Sequence, residues 1–498
     1  MHKTTALALL MIGCLTGSVH AQDEAKLKAL DGFAARALKD YSVPGMALAV
    51  VHNDRLVLVK GYGVRELGKE GDVDGDTIFQ LASVTKSFTA DAIGMLVDEG
   101  KVDFDEPVRT YLPDLVMHDP YATRFVTCRD LLAHRSGLPA FTGDILPDLG
   151  YNRKHVLERV RYFKPACTFR AEGNYSNVGY FIVGEVVARV SGQKWEDFVT
   201  ARLLLPLNMK RSDPLYNGVQ ERDNVAQPYA GPEGKLRKVA FHDHDVLGAA
   251  GSISASASDT AQWMRMHLAR GKYDGKQLLK AATIKDTYRP VTAIEPTFAE
   301  AAPSDAGSGL AFAMGWNNYH YEGYQIIEKG GGLAGMRSVV TLVPELDIGI
   351  VVLANRNLTF APEAVRAEFL TLFVRKSRRD LQQLIREQGK KIDEILFRTE
   401  PPLKDPQPPL VPLARFAGDY TNELYGTLSI RVKGDQLVLH AGPARYAGTL
   451  THRSNNTWRL KWPEVNSAAD EVTFTIGADG QASRLDTDDL GSFVRKAK

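Results

Sequence analysis

Two residues of complementary chemistry stand three positions apart in LASVTKSFTA. Ser83 carries a hydroxyl that could attack a carbonyl carbon, and Lys86 carries an amine that could take the hydroxyl proton. Phe88 and Ala92 continue at helical spacing, so Ser83 should begin a helix, with Lys86 one turn further on the same face. Burial and a neighbouring cation would lower the pKa of this lysine, as proton transfer requires. The segment therefore predicts a nucleophile with its base.

The same spacing recurs at Ser191 and Lys194 in SGQK. This copy follows a helical run and meets a Ser-Gly stop, which places its serine at the C-terminal end of a helix. The N-terminal end is the one that stabilises an oxygen turning negative during attack. We therefore interpret Ser83 and Lys86, and not the second pair, as the chemical motif.

Two further residues with useful chemistry lie in NYSN, where Tyr175 carries a phenol and Asn177 a carboxamide. A phenol near two ammonium groups can hold a lowered pKa and shuttle protons. A similar triplet, YTN from Tyr420 to Asn422, lies among short strand-like runs, and we interpret it as a turn. The pattern alone is too common to assign a function.

A lysine followed by three glycines, Lys329 to Gly332 in EKGGGLAGM, ends the strand-like run YQIIE. Glycines would let a ligand backbone approach closely and pair along the strand edge. In isolation, the same letters describe a glycine-rich turn with a solvated lysine more readily than a binding site. The interpretation therefore depends on the other two motifs.

Other polar residues predict structure instead of chemistry. His242 and His244 in HDHD lack a third ligand at a recognisable spacing, so we interpret this segment as a solvated loop and not as a metal site. Asp259 is expected to cap a helix. Cys128 and Cys167 are expected to be small buried thiols, with a single disulfide between them as the alternative. No metal and no organic cofactor is predicted.

The elements that must position these residues follow an order typical of an α+β fold. An amphipathic helix around Leu30 precedes a strand pair that turns at Asn53 and Asp54, and a second strand pair turns between Pro344 and Asp347 before another helical run. Strands at both ends predict an antiparallel β-sheet flanked by N- and C-terminal helices, with a mostly helical region inserted.

Composition and pattern divide the chain into four parts. These are a signal peptide over residues 1–21, the α+β domain over 22–375, a charged helix with a proline-rich linker over 376–412, and a small all-β C-terminal domain over 413–498. The N-terminal pattern predicts cleavage after Ala21 and export, as a periplasmic or secreted protein. The alternative is a lipoprotein anchored to a membrane through Cys14 in MIGC.

Bulk composition excludes several classes of protein. Of 498 residues, 44% are hydrophobic and 24% are charged, which is typical of a folded globular protein and not of a disordered chain. Lys and Arg total 61 against 60 Asp and Glu, so no charge excess indicates nucleic acid or an anionic membrane as a partner. After the N-terminal segment, no run approaches the roughly 20 apolar residues of a membrane span.

The three motifs, in this order and at these separations, resemble those of the serine β-lactamase and penicillin-binding-protein superfamily. The nearest likeness is to its class C branch, with D-alanyl-D-alanine carboxypeptidases, D-aminopeptidases and β-lactamase-like esterases. The resemblance covers about residues 24–375 and is reinforced by TCRDLLAHRSGLP and AAGSISASASDTAQWM. It implies that His134 is a buried, hydrogen-bonding histidine. The all-β segment resembles a C-terminal domain that often follows such hydrolases.

The resemblance also implies roles for the catalytic residues. Ser83 would be the acylated nucleophile and Lys86 its proton acceptor. Tyr175 would work with Lys86 in proton transfer to the leaving group and in activating water. Asn177 would orient the substrate amide and Lys86.

For substrate binding, the resemblance implies that Lys329 faces a substrate carboxylate beside Gly330 and Gly331. The backbone N–H groups of Ser83 and Gly332 would form an oxyanion hole, a kind of contact worth about 3 kcal/mol of barrier. Gly330 departs from the pattern, because many relatives have Thr or Ser there and a hydroxyl that could bind a carboxylate is missing.

These observations predict an exported serine hydrolase that acts through an acyl-enzyme on amide, β-lactam or ester bonds. Its substrate would be a small molecule or a peptide, with a carboxylate among the groups it could carry. The alternative is a noncatalytic penicillin- or muropeptide-binding sensor that keeps the pocket. A nucleic-acid partner is not predicted, and a membrane is predicted only if Cys14 is lipidated.

Overall fold

A computed structural model describes residues 23–220, 222–232, 234–294, 309–374, 381–396, 403, 405–463 and 470–497. The predicted signal peptide, its cleavage after Ala21 and the lipidation of Cys14 lie outside these residues. Within the part of the chain described, no helix is both long and apolar enough to cross a membrane.

An eight-stranded antiparallel sheet forms the centre of the first unit. Its strands are β1 (Gly45–His52), β2 (Arg55–Gly63), β3 (Thr292–Ala293), β4 (Ala311–Phe312), β5 (Asn317–Tyr321), β6 (Tyr324–Leu333), β7 (Met336–Val343) and β8 (Ile348–Ala354). They lie in the order β2-β1-β8-β7-β6-β5-β4-β3. Both predicted hairpins are present, as β1 with β2 and as β7 with β8. The two hairpins lie side by side in the sheet, because β1 pairs with β8, with Met46 opposite Ala354.

The chain between β2 and β3 is mostly helical, as predicted. Its longest described helices are α1 (Thr85–Asp98), α2 (Asn177–Ser191) and α3 (Ala257–Leu268). Its other helices and single turns are Ala82–Val84, Val108–Thr110, Pro120–Phe125, Cys128–Leu132, Arg153–Arg159, Val160–Tyr162, Trp195–Val199, Thr200–Leu204, Asn217–Gln220, Asp245–Leu247, Gly248–Gly251 and Ala281–Tyr288. Its short strand pairs are Phe79–Gln80 with Ser254–Ala255, Tyr229–Ala230 with Arg237–Lys238, and Lys272–Tyr273 with Lys276–Gln277.

After β8 come α4 (Ala361–Phe373) and α5 (Leu381–Leu396). The second of these falls within the predicted charged helical stretch and packs back on the first, since Gln382 Nε2 donates to Ala364 O at 2.9 Å. Together with a helix over residues 23–40, α4 covers one face of the sheet.

Both faces of the central strands β1, β7 and β8 are buried, which explains why these strands are largely apolar at successive positions. Leu48 of β1 belongs to the core under α4, with Leu30 of the first helix. Its neighbour Ala49 points the other way and joins the larger core, with Phe88 of α1 and Trp263 of α3. The predicted α+β class is therefore confirmed.

The C-terminal unit is a closed antiparallel barrel, so its prediction as all-β is also confirmed. A short turn, Leu413–Arg415, precedes the strands Gly418–Asn422, Gly426–Lys433, Gln436–Ala441, Tyr446–Ser454, Thr457–Lys461, Asp470–Ile476, Ala482–Thr487 and Gly491–Arg495. The interpretation of Tyr420 to Asn422 as a turn is wrong. These residues end the first strand, because Tyr420 faces inward and is fully buried in the barrel core.

The barrel contacts the first unit at the loop that contains residues 139–151. Tyr151 donates its hydroxyl to the carbonyl oxygen of Tyr425 at 3.2 Å, and the Ala444 N–H donates to Leu149 O at 2.9 Å. These contacts fix one side of the loop against the barrel.

Candidate active site

Ser83 lies in a single 3₁₀ turn that leads directly into α1. Two hydrogen bonds hold the residues before it: Ser338 Oγ of β7 donates to Leu81 O at 2.7 Å, and the Leu81 N–H donates to Ile253 O at 2.8 Å. Ala82, between them and the serine, has a φ of 51°, a left-handed conformation that is uncommon for a residue with a side chain. Ser83 therefore lies at the start of a helix, in a turn held between strand β7 and the segment that contains Ile253.

Strand β6 passes close to this turn. A Cβ on Gly331 would lie 2.2 Å from Leu81 O and 3.0 Å from the backbone nitrogen of Ser83. Only glycine therefore allows the strand to approach Ser83 so closely. Gly332, the next residue, is exposed beside the turn. The predicted oxyanion-hole residues Ser83 and Gly332 thus lie in adjacent segments.

Lys86 is fully buried one turn along α1. Its Nζ lies 3.1 Å from Ser83 Oγ, 2.6 Å from Asn177 Oδ1 and 2.8 Å from Ala250 O. Burial, and after it the charge of Lys329, hold the pKa of this lysine well below its usual range, against an opposing effect of Asp144. The amine therefore gives up its proton more readily than a solvated lysine does.

These contacts satisfy Lys86 in both of its protonation states. A neutral amine has two N–H donors and one lone pair, whereas an ammonium group has three donors. The oxygens of Asn177 and Ala250 can only accept, so in the neutral state they take both donors and leave the lone pair for the Ser83 hydroxyl. In the charged state the third N–H is donated to Ser83 Oγ. The lysine can therefore gain a proton without leaving a buried donor unpaired.

Tyr175 lies close to both lysines of the site. The centre of its ring is 4.8 Å from Lys86 Nζ and 4.9 Å from Lys329 Nζ. His134 holds the residues on either side of Tyr175. The Asn174 N–H donates to His134 O at 2.8 Å, and the Ser176 N–H donates to His134 Nδ1 at 3.1 Å. His134 is buried and hydrogen-bonded, as predicted, and burial followed by the charges of the two lysines lowers its pKa.

Asn177 begins α2, after Ser176, whose side chain caps the helix by accepting from the Gly179 N–H. The carboxamide of Asn177 accepts from Lys86 through Oδ1 and donates through Nδ2 to Asp144 Oδ2, also at 2.6 Å. Asp144 was not predicted, because a single acid in a loop carries no recognisable pattern. Burial raises its pKa to about 7, although the Asn177 hydrogen bond and the charge of Lys86 act in the other direction.

Lys329 is buried in β6 and is followed there by Gly330 and Gly331. The residue before it, Glu328, accepts hydrogen bonds from Thr341 and from Arg366 of α4, which anchors the strand on the opposite face. The structure therefore brings all the predicted site residues together where β6 meets the starts of α1 and α2.

Residues 242–244 of the HDHD segment form a loop and Asp243 is exposed, as predicted, but the interpretation as solvated is wrong for His244. His244 is buried, and its Nδ1 lies 3.2 Å from His242 Nε2. Burial, then the charges of His242 and Lys86, lower its pKa. Gly251 leaves the necessary space, because a Cβ there would lie 2.9 Å from His244 Cδ2. Among the residues with described positions, no group of three or more His, Cys, Asp or Glu side chains could hold a metal ion.

Two smaller predictions also need correction. Ser256, and not Asp259, caps α3, while the Asp259 carboxylate accepts from the Arg211 N–H at 2.6 Å instead. Both Cys128 and Cys167 are free thiols, and Cys128 is buried as predicted. Cys167 is only partly buried, because it lies in a loop and not in the core.

Comparison with known proteins agrees with this geometry. The model of the family described as Beta-lactamase matches residues 30–374, and a Domain of unknown function (DUF3471) matches residues 403–496. The unguisins hydrolase ungD of Aspergillus violaceofuscus is 26% identical over 440 residues, which cover 81% of this chain and 76% of that protein.

Two solved structures share the fold. The octameric penicillin-binding protein homologue from Pyrococcus abyssi has a TM-score of 0.60 at 21% identity and covers 94% of this chain and 100% of its own. A class C β-lactamase has a TM-score of 0.59 at 20% identity, over 71% of this chain and 98% of its own. Because the family model spans most of the sequence, the chain belongs to the β-lactamase family.

Proposed function

We propose that the protein is a serine hydrolase that forms an acyl-enzyme on Ser83. The observation that carries this proposal is the buried amine of Lys86, 3.1 Å from Ser83 Oγ, with its other two contacts made to carbonyl oxygens. A serine hydroxyl becomes a nucleophile when an adjacent base removes its proton, and a lysine with a lowered pKa can be that base.

Acylation then proceeds through a tetrahedral intermediate. Ser83 Oγ bonds to the carbonyl carbon of the substrate while its proton passes to Lys86 Nζ. The carbonyl oxygen becomes negative and is stabilised by the N–H groups of Ser83 and Gly332 and by the N-terminal end of α1. The bond from carbon to the leaving nitrogen or oxygen breaks, and the leaving group takes a proton that Lys86 supplies through Tyr175.

Deacylation reverses these roles with water. The same amine and phenol accept a proton from water as its oxygen attacks the ester carbon on Ser83. The bond to Ser83 Oγ breaks, the serine recovers its proton, and the acid product leaves. No group outside the protein and the substrate is needed to balance protons.

The proposed substrates are amide, β-lactam or ester compounds of small size or peptides. Lys329 adds an ammonium group to the cleft, which favours a ligand with a carboxylate. Gly330 supplies no hydroxyl, so a carboxylate would be held by charge and by backbone N–H groups. This combination supports weaker discrimination among anionic ligands than a site with a Thr or Ser would show.

The first test is covalent labelling of the full-length protein with a fluorescent penicillin and with an acyl phosphonate. We expect an adduct on Ser83 by mass spectrometry, its loss in Ser83→Ala, and its retention in the matched control Ser191→Ala. Turnover of nitrocefin, D-Ala-D-Ala peptides and nitrophenyl esters then identifies the bond that is cleaved. Folded wild-type protein that gives neither adduct nor turnover would contradict the proposal, and saturable binding without turnover would identify a noncatalytic sensor.

A further inference from the structure

Asp144 is a carboxyl group in the site for which the reaction above has no role. We propose that Asp144 is a positioning residue that holds the Asn177 carboxamide with its oxygen toward Lys86 and so directs the lysine lone pair at Ser83. This inference rests on the proposed serine hydrolase function. It is argued from two hydrogen bonds in series, from Asn177 to Asp144 and from Lys86 to Asn177.

A carboxamide has an accepting end and a donating end of nearly the same shape, so it can rotate by half a turn within one cavity. In the structure, Asn177 Oδ1 is 2.6 Å from Lys86 Nζ, and Nδ2 is 2.6 Å from Asp144 Oδ2. An ionised carboxylate can only accept, so it pairs with the donating end alone. Rotation of the carboxamide would place its oxygen against the carboxylate oxygen of Asp144.

The orientation of Asn177 matters because Lys86 must act as a neutral base. With the carboxamide oxygen facing it, the amine donates to Asn177 and to Ala250 O, and its lone pair remains for the Ser83 hydroxyl. A rotated carboxamide would instead donate an N–H to that lone pair. The base would then be occupied, and Ser83 would lose its proton acceptor.

The surroundings of Asp144 favour this role over a purely structural one. Its other oxygen, Oδ1, is buried and has no hydrogen-bond partner in the described structure, and a buried polar atom without a partner costs stability. The loop that contains Asp144 contacts the barrel, because Tyr151 donates its hydroxyl to Tyr425 O and the Ala444 N–H donates to Leu149 O. The loop is therefore held against the barrel while the Asp144 carboxylate accepts from Asn177.

The protonation state of Asp144 gives the inference a measurable signature. The charged and titratable groups that act on it are Lys86, His242, Asp148 and Tyr425. Only the ionised form must accept from Asn177, and burial raises its pKa to about 7. Acylation should therefore rise with pH through this range as Asp144 loses its proton, in addition to the rise caused by Lys86.

The test measures acylation by a penicillin and by a nitrophenyl ester across pH, with melting temperatures for each full-length variant. Asp144→Ala should lower the acylation rate constant about 10²-fold, the effect of a misplaced catalytic group, with little change in the dissociation constant of the substrate. Asp144→Asn should lose less activity, because its oxygen can still accept, but it should lose the rise near pH 7.

Asp148→Asn is the matched control, because it removes the same charge from the same loop. Since Asp148 raises the pKa of Asp144, this variant should keep the maximal rate and move the rise to lower pH. Wild-type acylation rates and pH profiles in Asp144→Asn would overturn the inference while leaving the proposed function intact, and this variant decides even if Asp144→Ala does not fold. Failure of wild-type protein itself to be acylated would refute both.

Discussion

Tyr175 and Tyr420 each begin a Tyr-x-Asn triplet, and each ring has a cation beside it. Tyr420 is buried in the barrel, donates its hydroxyl to Phe416 O at 2.7 Å and lies beside Arg495, and burial raises its pKa to about 12. Tyr175 is only partly buried and lies between two lysines. A guanidinium stays protonated in proteins, whereas a buried lysine amine can lose its proton. The two triplets therefore differ in the cation beside the tyrosine, because only the lysines beside Tyr175 could take part in proton transfer.

The asparagines of the two triplets differ in the same way. Asn422 accepts from the Leu424 and Tyr425 N–H groups and so shapes the connection between two strands. Asn177 bonds to a lysine and to a carboxylate instead. Both use their full side chain, but only one of them is connected to groups that can titrate.

The largest effect should come from the two Ser-x-x-Lys motifs. Lys86→Gln removes the proton acceptor and should lower acylation by about 10⁴-fold, the upper end for loss of a general base. Lys194→Gln should leave acylation unchanged, because Lys194 is exposed beyond the C-terminal end of α2. Stopped-flow labelling would compare the acylation rates of the two variants. Equal rates would contradict the interpretation that burial at the start of a helix distinguishes Lys86 from Lys194.

A smaller catalytic effect should separate the two tyrosines. Tyr175→Phe should reduce turnover about 10²-fold at an unchanged melting temperature, because it removes a proton-transfer group and little packing. Tyr420→Phe should keep turnover and lose about 1 kcal/mol of unfolding free energy, because the buried Phe416 O loses its donor. Denaturant titration and steady-state kinetics on the same samples test this. The reverse pattern would show that we have exchanged their roles.

The smallest effect concerns neighbouring glycines in β6. Gly331→Ala should lower unfolding free energy by about 1–3 kcal/mol, since the new Cβ would lie 2.2 Å from Leu81 O. Gly330→Ala should change it by no more than about 0.5 kcal/mol, because the nearest atom to its Cβ is Ser338 O at 3.8 Å. Chemical denaturation checks both, and equal stabilities would mean that the turn at Ser83 shifts freely.

Sequence predicted those parts of the site that depend on local pattern. Ser83 lies in the turn that leads directly into α1 and Lys86 in the first turn of α1, so their spacing alone brings them together. The start of α2 and the glycines of β6 are likewise predicted by helix and strand patterns in the sequence around them. The flanking hairpins predicted the sheet for the same reason, because each is formed by neighbouring residues.

The remaining contacts depend on packing between distant segments. Asp144 contacts Asn177 from a loop that is hydrogen-bonded to the barrel, and no sequence pattern near position 144 predicts that contact. The HDHD segment is polar and so resembles a solvated loop, but the space left by Gly251 allows His244 to be buried. Local polarity therefore does not predict exposure where a nearby glycine leaves space for a side chain.

The left-handed backbone at Ala82 has a consequence for the newly made chain. This conformation costs about 1–2 kcal/mol for a residue with a Cβ, so an unfolded chain rarely adopts it. The hydrogen bonds from Ser338 Oγ to Leu81 O and from the Leu81 N–H to Ile253 O offset that cost, and both partners of Leu81 come from segments far along the chain. We therefore expect the turn at Ser83 to form only after those later segments have docked, so that labelling of Ser83 by an acylating agent should report the completion of folding.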